Sequence, residues 1–328
     1  MLVGVTLVGA CASIAGHDTE TTVVAPFPLH GEAAAFNPSS STILLIGGSS
    51  PSHTGGGATR EWDQRWYRVA DSAASPPVRS GTAMEYNRSD NSVLLYGGFS
   101  DDPARSSDRT LCDTWRFANH RWLRLSAGPC VSQRQASQSL VFSVLDKTVL
   151  LIEGPALAGD TVLRPLRLWK WLDNRWSLID SAGPRRVGFS AVAYDDSRRV
   201  LVVPVLYGGP DAGVWEWNGV TWKHLITGGP SHRQTYALVY DARQCRVVLA
   251  GGQGGNRGPY LDDFWSWDGR EWTEWPHGPT SPPGRGGGHF FFDGKRNRFL
   301  YFGGYDEHLL ADWWIFSDGT WASARSAR

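Results

Sequence analysis

Five arginines and one histidine are spaced as if to act together. Arg79, Arg134, Arg186, Arg233 and Arg285 recur at intervals of about fifty residues, and His30 holds the corresponding place at the start of the chain. Arg79, Arg233 and Arg285 each stand eight residues before Asn87, Asp241 or Asp293, whereas Arg134 and Arg186 are about one residue out of that register. A guanidinium is a planar, permanently charged fork that matches carboxylates and phosphates. Two uses are open to such a series: holding an acidic ligand, or bracing the fold by donating to backbone carbonyls. Other chemistry is sparse. No His-Glu-x-x-His, Gly-x-Ser-x-Gly or phosphate-loop pattern occurs, and the nine histidines are dispersed without metal-ligand spacing. Gly254-Gly255 has no helix after it, so it is not a dinucleotide site. No metal, cofactor or catalytic residue is expected.

The arginines sit at one point of a repeated unit, clearest from Pro230 to Trp275. A half-apolar run, Tyr236–Tyr240, meets a polar turn at Asp241–Gln244. The apolar run Val247–Ala250 then ends in Gly251-Gly252. After a Gly-rich loop come Phe264–Trp267, a tight turn, and Trp272–Trp275. This is the pattern of four short strands with three connections, the double glycine suiting a place where backbone φ is positive.

The double glycine recurs at 47–48, 97–98, 208–209, 251–252 and 303–304, and is degenerate at Glu153-Gly154. The tryptophan that opens the last strand recurs as Trp66, Trp122, Trp176, Trp222, Trp272 and Trp321, spaced 56, 54, 46, 50 and 49 residues apart. An aromatic precedes it by five residues in five copies: Phe117, Trp171, Trp217, Trp267 and Phe316. Six copies in register outrank every other signal in the chain.

The pattern resembles the Kelch repeat, especially the bacterial kind with a Trp-x-Trp-[Asp/Asn]-Gly-x-x-Trp hairpin, as at Trp215–Trp222 and Trp265–Trp272. The resemblance covers about residues 26–328. It implies an all-β, six-bladed β-propeller with four antiparallel strands per blade. The expected blades are about 26–75, 76–128, 129–182, 183–228, 229–278 and 279–328. In that family, residues at the arginine position line the mouth of the central channel and hold acidic partners. The family includes scaffolds, binders and a few enzymes.

Strand parity places the loops between second and third strands on one face with the links between blades, because neighbouring strands run antiparallel. Those loops, 49–61, 99–111, 155–165 and 253–262, are the longest and most variable. The face is read as functional, and the opposite face, with short uniform turns, as structural.

Net formal charge is zero, with 32 basic and 32 acidic residues and no long run of one sign, which argues against a nucleic-acid partner. Residues 1–25 read as an uncharged leader, 1–16, followed by a polar tether. The leader resembles a secretory signal, and Val8-Gly9-Ala10-Cys11 resembles a lipobox in which Cys11 is lipidated. No Lys or Arg precedes its apolar stretch. Cys112 and Cys130 lie at the two ends of one hairpin, where a disulfide is geometrically reasonable and fits an oxidising compartment. Cys245 reads as filler. The expectation is a monomeric, exported, non-catalytic module that binds a protein or glycan, with a cytoplasmic location as the alternative. It would meet the membrane only through a lipid anchor. The competing function is a carbohydrate-active enzyme of the sialate-epimerase or oxidase type, using the arginines for an acidic sugar.

Overall fold

The computed structural model describes residues 30–49, 58–63, 65–70, 75–100, 109–130, 138–154, 165–185, 191–206, 208–255 and 257–324. Among them there are strands and turns but no helix. They form six four-stranded antiparallel sheets and two short ribbons, Arg79–Ser80 with Phe99–Ser100 and Arg233–Gln234 with Gln253–Gly254. Strands are lettered a to d within a blade. Blade one comprises His30–Asn37, Thr42–Ser49, Thr59–Trp62 and Trp66–Ala70. Blade two comprises Ala83–Asn87, Ser92–Tyr96, Asp113–Ala118 and Arg121–Ala127. Blade three comprises Gln138–Ser143, Thr148–Glu153, Arg167–Leu172 and Arg175–Asp180. Blade four comprises Ala193–Asp195, Val200–Val205, Gly213–Trp217 and Trp222–Leu225. Blade five comprises Ala237–Asp241, Arg246–Ala250, Phe264–Trp267 and Trp272–Glu274. Blade six comprises His289–Asp293, Arg298–Phe302, Trp313–Ser317 and Thr320–Ala324.

Neighbouring residues of strand b, such as Leu94 and Leu95, point to opposite faces and are both buried, so each sheet needs a neighbour on either side and the six lean on one another in a ring. The core divides accordingly into six clusters, one per interface between neighbouring blades. Leu249 and Trp267 of blade five pack with Val202 and Val214 of blade four. Blade five meets blade six through Phe264, Phe290 and Trp321. The ring closes where Ile43, Leu45, Trp62 and Trp66 of blade one meet Leu300, Phe302 and Trp313 of blade six. Trp62 stacks on Trp313 at 4.9 Å, and Phe302 stacks on the same indole at 4.0 Å. Ser41 Oγ donates to Asp293 Oδ1 across this seam at 2.8 Å. Among the described residues no strand is exchanged between blades, and apolar packing together with the Ser41–Asp293 hydrogen bond joins the first blade to the last.

In blades two, three and four the tryptophan that opens strand d is tied to the blade before. Trp122 Nε1 donates to Thr59 Oγ1 of blade one at 2.7 Å, and Trp176 Nε1 to Thr114 Oγ1 of blade two at 2.9 Å. Trp222 Nε1 donates to Asp180 of blade three at 2.9 Å. A buried indole N–H needs such a partner, and in these three repeats the neighbouring blade supplies it.

The double glycines leave strand b with positive φ, +57° and +112° at Gly251 and Gly252. A Cβ on Gly252 would lie 2.9 Å from the Gln234 carbonyl oxygen, so only glycine fits. In blade two the outer hairpin carries a disulfide between Cys112 and Cys130, with Cα atoms 5.2 Å apart and a sequence separation of 18. A closed loop of that size restrains the unfolded chain by about 3 kcal/mol. Denaturant unfolding with and without a reducing agent should therefore show a loss of about 3 kcal/mol on reduction. Peptide mapping that finds both thiols free in the oxidised protein would contradict the pairing.

Candidate functional site

The sequence points to the arginines, and three of them, Arg79, Arg233 and Arg285, are taken up in bracing the blades. Arg79, Arg233 and Arg285 are each 0% exposed. Arg79 gives Nη1 to Asp113 Oδ1 at 2.7 Å and Nη2 to Oδ2 at 3.0 Å. Nη1 also donates to the Gly97 carbonyl at 3.0 Å, and Nε to Pro77 at 3.0 Å. Arg233 repeats the arrangement on Asp263, Gly251 and Ser231, with all five N–H groups engaged. Arg285 repeats it on Asp312, Gly303 and Pro283. In each case the first residue of strand c, or the one before it, already supplies a bidentate carboxylate from the same blade.

A tryptophan completes each of these nodes. Trp115, Trp265 and Trp314 donate Nε1 to the aspartate two residues before them, at 2.7, 2.7 and 2.6 Å. Desolvation alone would push the three aspartates up. The arginine hydrogen bonds, the arginine charge and the indole N–H outweigh it and hold Asp113, Asp263 and Asp312 below the ordinary carboxylate range. Blade three carries the charges exchanged. Glu153 replaces a glycine and Arg167 takes the aspartate's place two before Trp169. Arg167 Nη2 lies 2.8 Å from Glu153 Oε2, which also accepts from Trp169 Nε1 at 3.1 Å. The departure at Glu153 is thus a compensated one.

Of the remaining expected site residues, Arg134, Arg186 and Cys11 lie outside the described residues, as does the side chain of His30, whose backbone begins strand a of blade one. Much of the long loop face lies outside them too. Exposed Cys245 has positive φ in the a-to-b turn of blade five.

What the structure does bring together lies on the axis. A cavity of about 360 Å³ runs between the six a strands and reaches the a-to-b turns at Pro38, Arg88, Asp196, Ala242 and Gly294. It therefore opens on the face read from the sequence as structural. Its walls mix aromatic side chains, including Phe36, Phe142, Tyr194, Tyr240 and Phe291, with aliphatic ones. Three charged residues line it: Glu85, Arg88 and Asp196. Arg88 Nη1 donates to Asp196 Oδ2 at 2.6 Å, and its guanidinium lies 5.2 Å from the centre of the Phe142 ring. Asp196 Oδ1 is buried with no hydrogen-bond partner. Burial pushes the Glu85 carboxyl up to about 8; Arg88 and the Tyr86 backbone N–H pull the other way, and Asp196 adds to the rise. At neutral pH Glu85 is therefore mostly a neutral acid. Volume, aromatic walls and a few convergent polar groups are the features of a small-ligand site.

No family model matches the chain, and no curated protein does. Solved structures do match in shape. The chain is similar to the structure of YjhT, with a TM-score of 0.66 and 15% sequence identity over 93% of this chain and 99% of that one. At that identity the likeness shows the fold alone, a β-propeller.

The two kinds of carboxyl predict opposite pH effects on stability. The node aspartates are depressed, so their contribution is present above the unfolded pKa of about 4 and is lost as pH falls through the folded values. Glu85 is raised from 4.5 to about 8, so the folded chain holds a proton that the unfolded chain has released, and stability falls as pH rises between those values. Glu85→Gln should remove this fall and raise the melting temperature at pH 8 relative to wild type, with little difference at pH 4.5. Equal pH profiles for the two proteins would contradict the assignment.

Proposed function

We propose that this chain is a ligand-binding propeller whose ligand enters the axial cavity from the a-to-b turn face. The observation that carries the reading is the cavity of about 360 Å³ in which Glu85, Arg88 and Asp196 meet among aromatic walls. Strand edges hold the backbone still while side chains at the ends of strand a make the chemistry. Such a pocket suits a sugar-sized molecule better than a protein surface, because a cavity of about 360 Å³ between the a strands admits a small molecule and not a folded partner. The Trp–Gly repeats support a Kelch-type propeller. The apolar leader supports export, with Cys11 as a lipid anchor, and the Cys112–Cys130 pair fits an oxidising compartment.

A second reading has one observation behind it. A carboxyl group held near 8 is protonated at neutral pH and able to give its proton to a reacting group. Glu85 is then the general acid of a carbohydrate-active enzyme, with Arg88 and Asp196 positioning the sugar. Turnover lost in Glu85→Gln with ligand affinity retained would select this reading over plain binding.

The site is tested by filling its mouth. Ala242 is exposed and lines the cavity rim, so Ala242→Trp should fold normally and block access. A thermal-shift screen of monosaccharides and amines on the full chain should give hits that vanish in Ala242→Trp and persist when Asp318, on the c-to-d turn of blade six, becomes Ala. Hits unaffected by the tryptophan would move the site elsewhere.

A further inference from the structure

We infer that the ligand of the axial cavity carries a protonated primary amine; this rests on the cavity being the ligand site. The argument is an inventory of what the cavity offers. Its one guanidinium, Arg88, is committed to Asp196 Oδ2 and lies over Phe142. Its acceptors exceed its donors. Asp196 Oδ1 has no partner. The Glu85 carboxyl meets the Tyr86 backbone N–H and the fields of Arg88 and Asp196. Tyr194 is 4% exposed and lines the same cavity, and its hydroxyl is buried without a partner. Ser143 and the Leu145 backbone lie close to that hydroxyl but make no hydrogen bond of accepted geometry. The Tyr240 hydroxyl accepts the Ser197 N–H at 3.1 Å.

With Glu85 protonated the three groups sum to zero, and with it ionised to one net negative charge. An acidic sugar would add a negative charge beside Asp196 and Glu85, and the one guanidinium there already gives Nη1 to Asp196. An ammonium supplies three donors for the open oxygens, is balanced once Glu85 gives up its proton, and finds aromatic faces suited to a cation. Amino sugars and simple diamines share this chemistry. Because Glu85 starts as a neutral acid, binding an ammonium draws off its proton: the carboxyl O–H is replaced by an N–H···O contact, and one proton leaves to solvent.

The experiment is calorimetry on the full chain with four probes: glucosamine, putrescine, N-acetylglucosamine and glucuronic acid. The amines should bind at least tenfold more tightly than the acetylated and acidic sugars. Putrescine affinity should rise roughly tenfold from pH 6 to pH 7, with close to one proton released per molecule bound. In Glu85→Gln the pH dependence and proton release should disappear. Glucosamine bound more tightly than putrescine assigns the amine to a sugar, and the reverse order to a polyamine. The inference is overturned if no amine binds, if N-acetylglucosamine or glucuronic acid binds as tightly as glucosamine, or if amine binding survives in Ala242→Trp. A neutral or acidic probe that binds wild type but not Ala242→Trp would leave the cavity as the ligand site and sink only the amine.

Discussion

A guanidinium taken wholly out of water must find its donors' partners inside the protein, and this requirement organises each repeat that carries one. Arg233 enters from the link between blades, receives both oxygens of Asp263 at the start of strand c, and caps the carbonyl of Gly251 at the end of strand b. Three pieces of chain separated by a variable loop are thereby held at one point. The backbone at the same place reaches both neighbours: Gly252 N donates to the Arg285 carbonyl, in the link to blade six, at 2.8 Å, and Arg233 N to the Leu206 carbonyl of blade four at 3.2 Å. Breaking a buried pair of this kind leaves one charge stranded, which costs about 3–5 kcal/mol. The double glycine follows from the same constraint, since its carbonyl must turn toward the guanidinium and its backbone must pass close to the next link.

This division of labour separates the two ends of the axis. At the end where strand a begins, charge is neutralised and bound up in structure. Where strand a finishes, charge is left partly uncompensated in a cavity, with a carboxyl held neutral and an acceptor unpaired. Stability favours complete pairing, so an incompletely paired, half-enclosed cluster is where a ligand has something to supply. The amine reading and the acid-catalyst reading differ in what becomes of the Glu85 proton, and both use the same opening.

Much of the architecture could be read from the residues. Tryptophans and glycine pairs at a fixed phase are visible because strand geometry and inter-blade packing demand them six times. The arginine role was half visible. Spacing shows Arg79, Arg233 and Arg285 as equivalent, but their partners lie 34, 30 and 27 residues downstream across a loop of varying length. A usable signal was present: an aspartate two residues before Trp115, Trp265 and Trp314, with Arg167 in that place before Trp169. The axial cavity gave none. Glu85 is one of several side chains on a five-residue strand, and only the convergence of six blades puts it beside Asp196 from two blades away. Strand parity sorted the loops onto faces, yet loop length said nothing about where the a strands leave space.

The measurement that bears most directly on the account is a double-mutant cycle on Arg233 and Asp263, comparing Arg233→Ala, Asp263→Ala and the double variant by denaturant unfolding. A buried, mutually satisfying pair predicts that the double variant is more stable than additivity allows, by about 1–3 kcal/mol, because each single change strands the other charge. Additive losses within about 0.5 kcal/mol would show that the two side chains do not depend on each other, and the arginines would return to the list of residues free for a ligand.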